Sequence, residues 1–243
     1  MLVKKKDIRI EQRDNVMGGK NSCFMHWLIE LPDFKGAGRV FHKVVVPPMC
    51  EIGYHVHSGD SEAYYVMKGS GIYNDNGEKK HVDQGTLMFT PEGCGHGFYN
   101  DTDSNVEILA MILFNFDKGK DITGLRFVKK PEEFKRVELH APFGGKGDFY
   151  REDLLTGEEL TGGGRVYAIV HLLPGCELGY HEHQGETEAF YILSGKGVFN
   201  DDGEKKEVEQ GDIMLTGTGH SHGMENPYNE ELVYAALIYF DKN

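Results

Sequence analysis

A chain of 243 residues accommodates one large or two small domains, and its formal charge of −13 excludes a nucleic-acid surface built on a basic face. With 32 glycines and many aromatic and β-branched residues, short strands joined by tight turns are favoured over a helical bundle. No uninterrupted apolar run of about 18 residues occurs and no apolar segment follows the basic start at Lys4, Lys5 and Lys6, which leads to the expectation of a soluble, cytoplasmic protein without a membrane partner.

In chain order, the first half carries strand signals at 41–46, 63–67, 86–90 and 106–114, short apolar or alternating runs bounded by Gly, Pro, Asn and Asp. The second half repeats them at 167–173, 189–193, 212–216 and 232–239. Asn76-Gly77 and Asp202-Gly203 have the residues of type I′ hairpin turns, in which both central positions need positive φ. The only helical hint, 131–134, is one turn at most. The two halves form a gap-free repeat: GGKNSCF at Gly18 recurs as GGKGDFY at Gly144, and the run from Gly38 recurs from Gly164, both 126 residues on. A repeat of this length is a duplicated domain, since solenoid units span only about 20–50 residues. The domains are placed at 1–120 and 121–243, with the polar stretch from Asp117 as the crossing. Cys23, Cys50, Cys94 and Cys176 lack CxxC spacing and are expected to be free thiols.

The chemistry concentrates in His55, His57, Glu62 and His96, repeated as His181, His183, Glu188 and His222. Residues two apart on a strand share a face, so each His-x-His pair aims two imidazoles at one point, to which a neighbouring strand can add Glu and a third His. Three neutral imidazoles and one carboxylate suit Mn, Fe, Co, Ni or Zn, one ion per domain, better than Ca or Mg. Four ligands on an octahedral ion leave two positions for a chelating substrate, water or O₂. Alternation places Tyr64 and Phe190 beside these sets, and Phe98 and Met224 follow the last histidine of each by two, which makes these four the candidate substrate pocket. His26, His42, His81, His140, His171 and His220 have no counterpart in the other half and are expected to be surface or packing residues.

These motifs resemble those of the cupin superfamily. HVHSGDSEAYYVMKG matches the end of its first motif, and GTLMFTPEGCGHGFYN matches its second through Pro91, Gly93, His96 and Asn100. GCELGYHEHQGETEAFYILSG and GDIMLTGTGHSHGMEN supply both again. Two positions depart: Met49 replaces the leading Gly of the first motif in one half, and Gly217 replaces the Pro of the second motif in the other. The resemblance implies an all-β bicupin of two tandem jelly-roll barrels, a metal near the centre of each, and a homodimer. It leads to the expectation of a metal-dependent enzyme of dioxygenase, isomerase or lyase type acting on a small oxygen-rich or carboxylate substrate, with a non-catalytic ligand-binding or sensor cupin, or an oxalate decarboxylase-like enzyme, as the alternatives. Oxalate-decarboxylating bicupins carry an Arg three residues before the first motif histidine; here those positions are Ile52 and Leu178. Arg39 and Arg165 are expected to face outward, and the pairs Tyr64/Phe190 and Val56/Glu182 to make the two pockets differ in polarity.

Overall fold

The computed structural model describes residues 1–242. Among these, regular structure is almost entirely strand, and each helical piece is a single 3-10 turn of at most four residues, that at Pro131–Glu133 included. The chain forms two compact units, one comprising Arg9–Glu133 with Thr161–Gly163, the other Met1–Ile8 with Phe134–Leu160 and Gly164–Asn243. No helix among the described residues is long and apolar enough to cross a membrane.

Each unit is built from one seven-stranded and one four-stranded antiparallel sheet. In the first unit, the large sheet runs Phe127–Lys129, Leu87–Thr90, Asp60–Lys68, Val106–Phe114, Gly38–Val46, Ser22–Glu30, Ile10–Asp14. Its small sheet runs Glu51–Val56, Gly95–Tyr99, Ser70–Asp75, Glu78–Asp83. The second unit repeats both orders, with Leu2–Val3 and Ile213–Thr216 opening the large sheet and Glu177–Glu182 opening the small one. The strand expected at 106–114 has those bounds, while that at 41–46 extends to Gly38–Val46 and that at 63–67 to Asp60–Lys68. Apart from Val40, the added residues are polar or glycine and join through backbone pairing, which apolar patterning does not register.

Alternation fixes which face of each strand is buried. In Gly38–Val46, Val40, Val44 and Val46 are buried on the inner face, and the core of the first unit gathers Val44 and Val46 with Tyr64, Tyr73 and Phe98. Phe149, Phe190, Phe199 and Tyr234 occupy the matching core of the second. The hairpin tips are as expected: Asn76 and Gly77 have φ of 54° and 97°, and Asp202 and Gly203 have 50° and 93°. Asn100, buried, donates from Nδ2 to the carbonyls of Val46 and Ser104, and Asn226 does the same to Leu172 and Glu230. These motif asparagines pin a turn. All four cysteines are buried and free.

Candidate metal centres

The structure brings together His55, His57, Glu62 and His96, and separately His181, His183, Glu188 and His222; in each group the candidate ligand atoms lie within 4.8 Å of one another. One imidazole lies in a strand of the small sheet, a second directly follows that strand and the third comes from its neighbour, where His55 is the register partner of His96 and His181 that of His222. The carboxylate comes from the large sheet, on Asp60–Lys68 or Glu186–Ser194. His57, Glu62 and His96 are at most 3% exposed.

In both groups every Nδ1 is already engaged. His55 donates to the Gly53 carbonyl (3.0 Å), His57 to Asp60 Oδ1 (2.7 Å), and His96 Nδ1 lies 3.3 Å from the Tyr73 hydroxyl. In the second group the partners are the Gly179 carbonyl (2.9 Å), Glu186 Oε1 (3.1 Å) and Thr216 Oγ1 (3.1 Å). The Nε2 atoms therefore turn inward. His96 Nε2 sits 3.1 Å from that of His57, 3.2 Å from that of His55 and 2.9 Å from Glu62 Oε2. His222 Nε2 is 3.1 Å from that of His183 and 2.9 Å from Glu188 Oε2.

Lone pairs and a carboxylate held this close repel unless a cation lies between them. Separations near 3 Å are also the edge of a coordination shell whose bonds are about 2.1 Å, the usual imidazole–transition metal distance. The donor set fits a divalent transition ion. Electrostatics agree: burial raises Glu62, yet the hydrogen bonds of His55, His57 and His96 outweigh it and hold the carboxyl well below its ordinary range. Burial likewise raises Glu188, but His183 and His222 bring it down to about 2. Burial lowers His57, while Asp60 and Glu62 lift it to about 9, so with no ion present a proton supplies the positive charge that this cluster draws.

A second layer holds the ligands in place. Arg39 pairs with Asp60 at 3.0 Å behind His57, and Arg165 grips Glu186 at 2.7 and 2.8 Å behind His183. Such carboxylate partners fix ring orientation and raise ligand basicity. Both arginines are exposed, as expected, and each also reaches a carboxylate beside its candidate metal set and lines a cavity there.

Those cavities adjoin the ligand sets. His55, Glu62 and Tyr64 line one, of ≈ 620 Å³; His181, Glu188 and Phe190 line the other, of ≈ 200 Å³. Phe98 and Met224 instead lie in the two core clusters, 1% and 0% exposed. Val56 and Glu182 are exposed, because the residue between two inward histidines points to the other face of its strand; the polarity difference assigned to that pair is therefore on the outer surface. His42 lines the larger cavity, with Nδ1 buried and unpartnered, and is neither a surface nor a simple packing residue. Its alternation with Val40 and Val44 on one strand is the signal that could have found it.

The repeated ligand geometry has a counterpart among known proteins. A family model described as a cupin domain matches residues 42–112 and again 168–239, together more than half of the chain. The chain belongs to the cupin family. An oxalate-binding protein of Thermotoga maritima is 41% identical to this cupin over 119 residues, 49% of this chain and 97% of that protein. Among solved structures, the E. coli protein Ylba superposes with a TM-score of 0.77 at 17% identity, over 100% of this chain and 91% of that one. The Lactobacillus farciminis oxalate decarboxylase, solved as a formate complex, gives 0.68 at 14% identity over 100% and 86%. At these identities the two structures establish a shared fold, that of a bicupin.

Proposed function

We propose that each barrel of this cupin holds one divalent transition ion (Mn, Fe, Co, Ni or Zn) on its three histidines and glutamate, and that the chain is a metal-dependent enzyme acting on a small carboxylate, oxalate foremost. The observation that carries this reading is the convergence of three Nε2 atoms and one carboxylate on a point that opens into a cavity, twice over. The T. maritima relative, named for oxalate binding, supports a small acid as the ligand. A bound ion would act as a Lewis acid on a chelated carboxylate, or as a centre for O₂.

The chain's own groups have narrower roles. Asp60 and Glu186 keep His57 and His183 oriented with Nε2 inward. Tyr64, in domain one, lies beside Glu62, and burial raises its phenol well above the ordinary value, so the hydroxyl stays protonated and can donate. Arg39 and Arg165 keep positive charge at the cavity walls, which favours an anionic ligand.

A second reading, a binder without turnover, is favoured by the carboxylates lining the cavities: besides the ligands Glu62 and Glu188, the only other lining one among the described residues is Glu30, which is bound to Arg9. Calorimetry with oxalate, before and after chelator treatment, joined to a product assay, separates the readings. Metal-dependent binding with turnover that disappears in His55→Ala or His181→Ala is expected; binding without product selects the second reading, and oxalate binding that survives metal removal contradicts both.

A further inference from the structure

Positions lining the two cavities correspond at the 126-residue spacing, yet the cavities differ threefold in size, ≈ 620 against ≈ 200 Å³. Four substitutions place larger side chains in the second. Met17, Cys23, Met25 and Ile108 of the first barrel are Phe143, Phe149, Arg151 and Tyr234 in the second, where all four line the cavity. Phe143 lies flat on the ligand His181, ring centroids 3.8 Å apart and planes 6° from parallel.

The first barrel carries aromatic and imidazole rings along one row of the large sheet where the second is differently built. In the first barrel the register places Trp27 beside His42, His42 beside Ala110 and Ala110 beside Tyr64. The same row in the second barrel reads Asp153, Ala168, Ala236, Phe190. Trp27, His42 and Tyr64 line the larger cavity, and the Trp27 and His42 rings are 5.6 Å apart. His42 stands out because its buried Nδ1 has no hydrogen-bond partner, whichever ring nitrogen carries the proton. Burial pushes the ring down to about 4, so it is neutral at physiological pH and carries a single N–H. The protein satisfies Nδ1 in neither tautomer, and the ring lines the cavity, so a ligand oxygen there would complete its hydrogen bonding.

Resting on the metal-chelation reading above, we infer that the barrels take different acids. The first takes a 2-oxo or 2-hydroxy acid with a bulky apolar side chain, which lies against Trp27 and Tyr64 while one of its oxygens accepts a hydrogen bond from His42. The second admits only acids near the size of oxalate.

Trp27 is the sole tryptophan of the chain, so its emission reports on the first barrel alone. The experiment titrates the metal-loaded, full-length protein with 4-methyl-2-oxopentanoate and with oxalate, following heat and Trp27 emission together. The bulky acid should bind at one equivalent per chain with a change in emission. His42→Ala should weaken it about tenfold, the worth of one hydrogen bond, and His42→Gln should restore most of the loss. Oxalate binding at the second barrel should be unchanged in both variants, which shows that they are folded. Two equivalents of the bulky acid, heat without an emission change, or full affinity in His42→Ala would overturn the inference. Oxalate binding without any binding of the bulky acid overturns it too, but leaves the functional reading standing; binding of neither acid removes that reading and the inference with it.

Discussion

At the scale of single residues, the candidate ligand sets depend on groups outside them. Asp60 holds His57 by Nδ1 and is itself held by Arg39, so the imidazole presents Nε2 with little freedom. Replacing Asp60 by Asn keeps the acceptor but removes the charge, and should lower the metal affinity of the first site about 10- to 100-fold while leaving the second unchanged, measured by competition with a chromogenic chelator. The sign of the pH dependence follows from the same contact. His57 is raised to about 9 in the metal-free protein, so below that pH an incoming ion must displace a proton. Apparent affinity at the first site should therefore climb about tenfold per pH unit towards pH 9 and level off above it. In Asp60→Asn the levelling should move to lower pH, because one of the two carboxylates that lift His57 is gone. The reverse sign applies to folding without metal: the stability contributed by protonated His57 is complete below its unfolded value of about 6.5 and is lost as pH rises through 9.

At the scale of elements, the histidines are aimed by a close approach of two backbone segments. Gly179, whose carbonyl accepts from His181, packs against the turn Pro142–Gly144; a Cβ on Gly179 would stand 2.3 Å from the Phe143 carbonyl oxygen. The same arrangement joins Gly53 to Met17 in the first barrel. Met17 and Phe143 both sit at positive φ, 51° and 55°, so the turn is already strained and cannot yield cheaply. Gly179→Ala should cost about 1–3 kcal/mol in chemical denaturation, and should also weaken metal binding at the second site. Strand positions and both I′ turns were legible in the sequence because period-two patterning and Asn-Gly or Asp-Gly pairs are local signals. The eight candidate ligand positions, which the structure gathers into two groups, were legible because the duplication prints them twice. His42 and the Arg39–Asp60 pair were not, since their roles come from neighbours on other strands: Asp60 lies 21 residues beyond Arg39, and His42 gains its meaning from Trp27 and Tyr64 across the sheet.

At the scale of the whole molecule, the edge strands are exchanged between the repeats. Leu2–Val3 pairs with Ile213–Thr216, Leu2 opposite Met214, and its repeat partner Phe127–Lys129 pairs with Leu87–Thr90, Val128 opposite Met88. Lys4 reinforces the first pairing by reaching the buried Asp212 at 2.8 Å. Long-range pairing of two- and three-residue strands leaves no periodic trace in sequence. Deleting residues 1–8 should accordingly raise amide exchange along Ile213–Thr216 and leave Leu87–Thr90 protected, even though the deleted segment directly precedes the first barrel. The central claim, one ion in each of two equivalent barrels, is tested most directly by elemental analysis of metal per chain in the protein and in His96→Ala and His222→Ala variants. Two ions per chain, falling to one in each variant, are predicted from the two ligand groups; no ion after reconstitution, or an unchanged content in both variants, would contradict it.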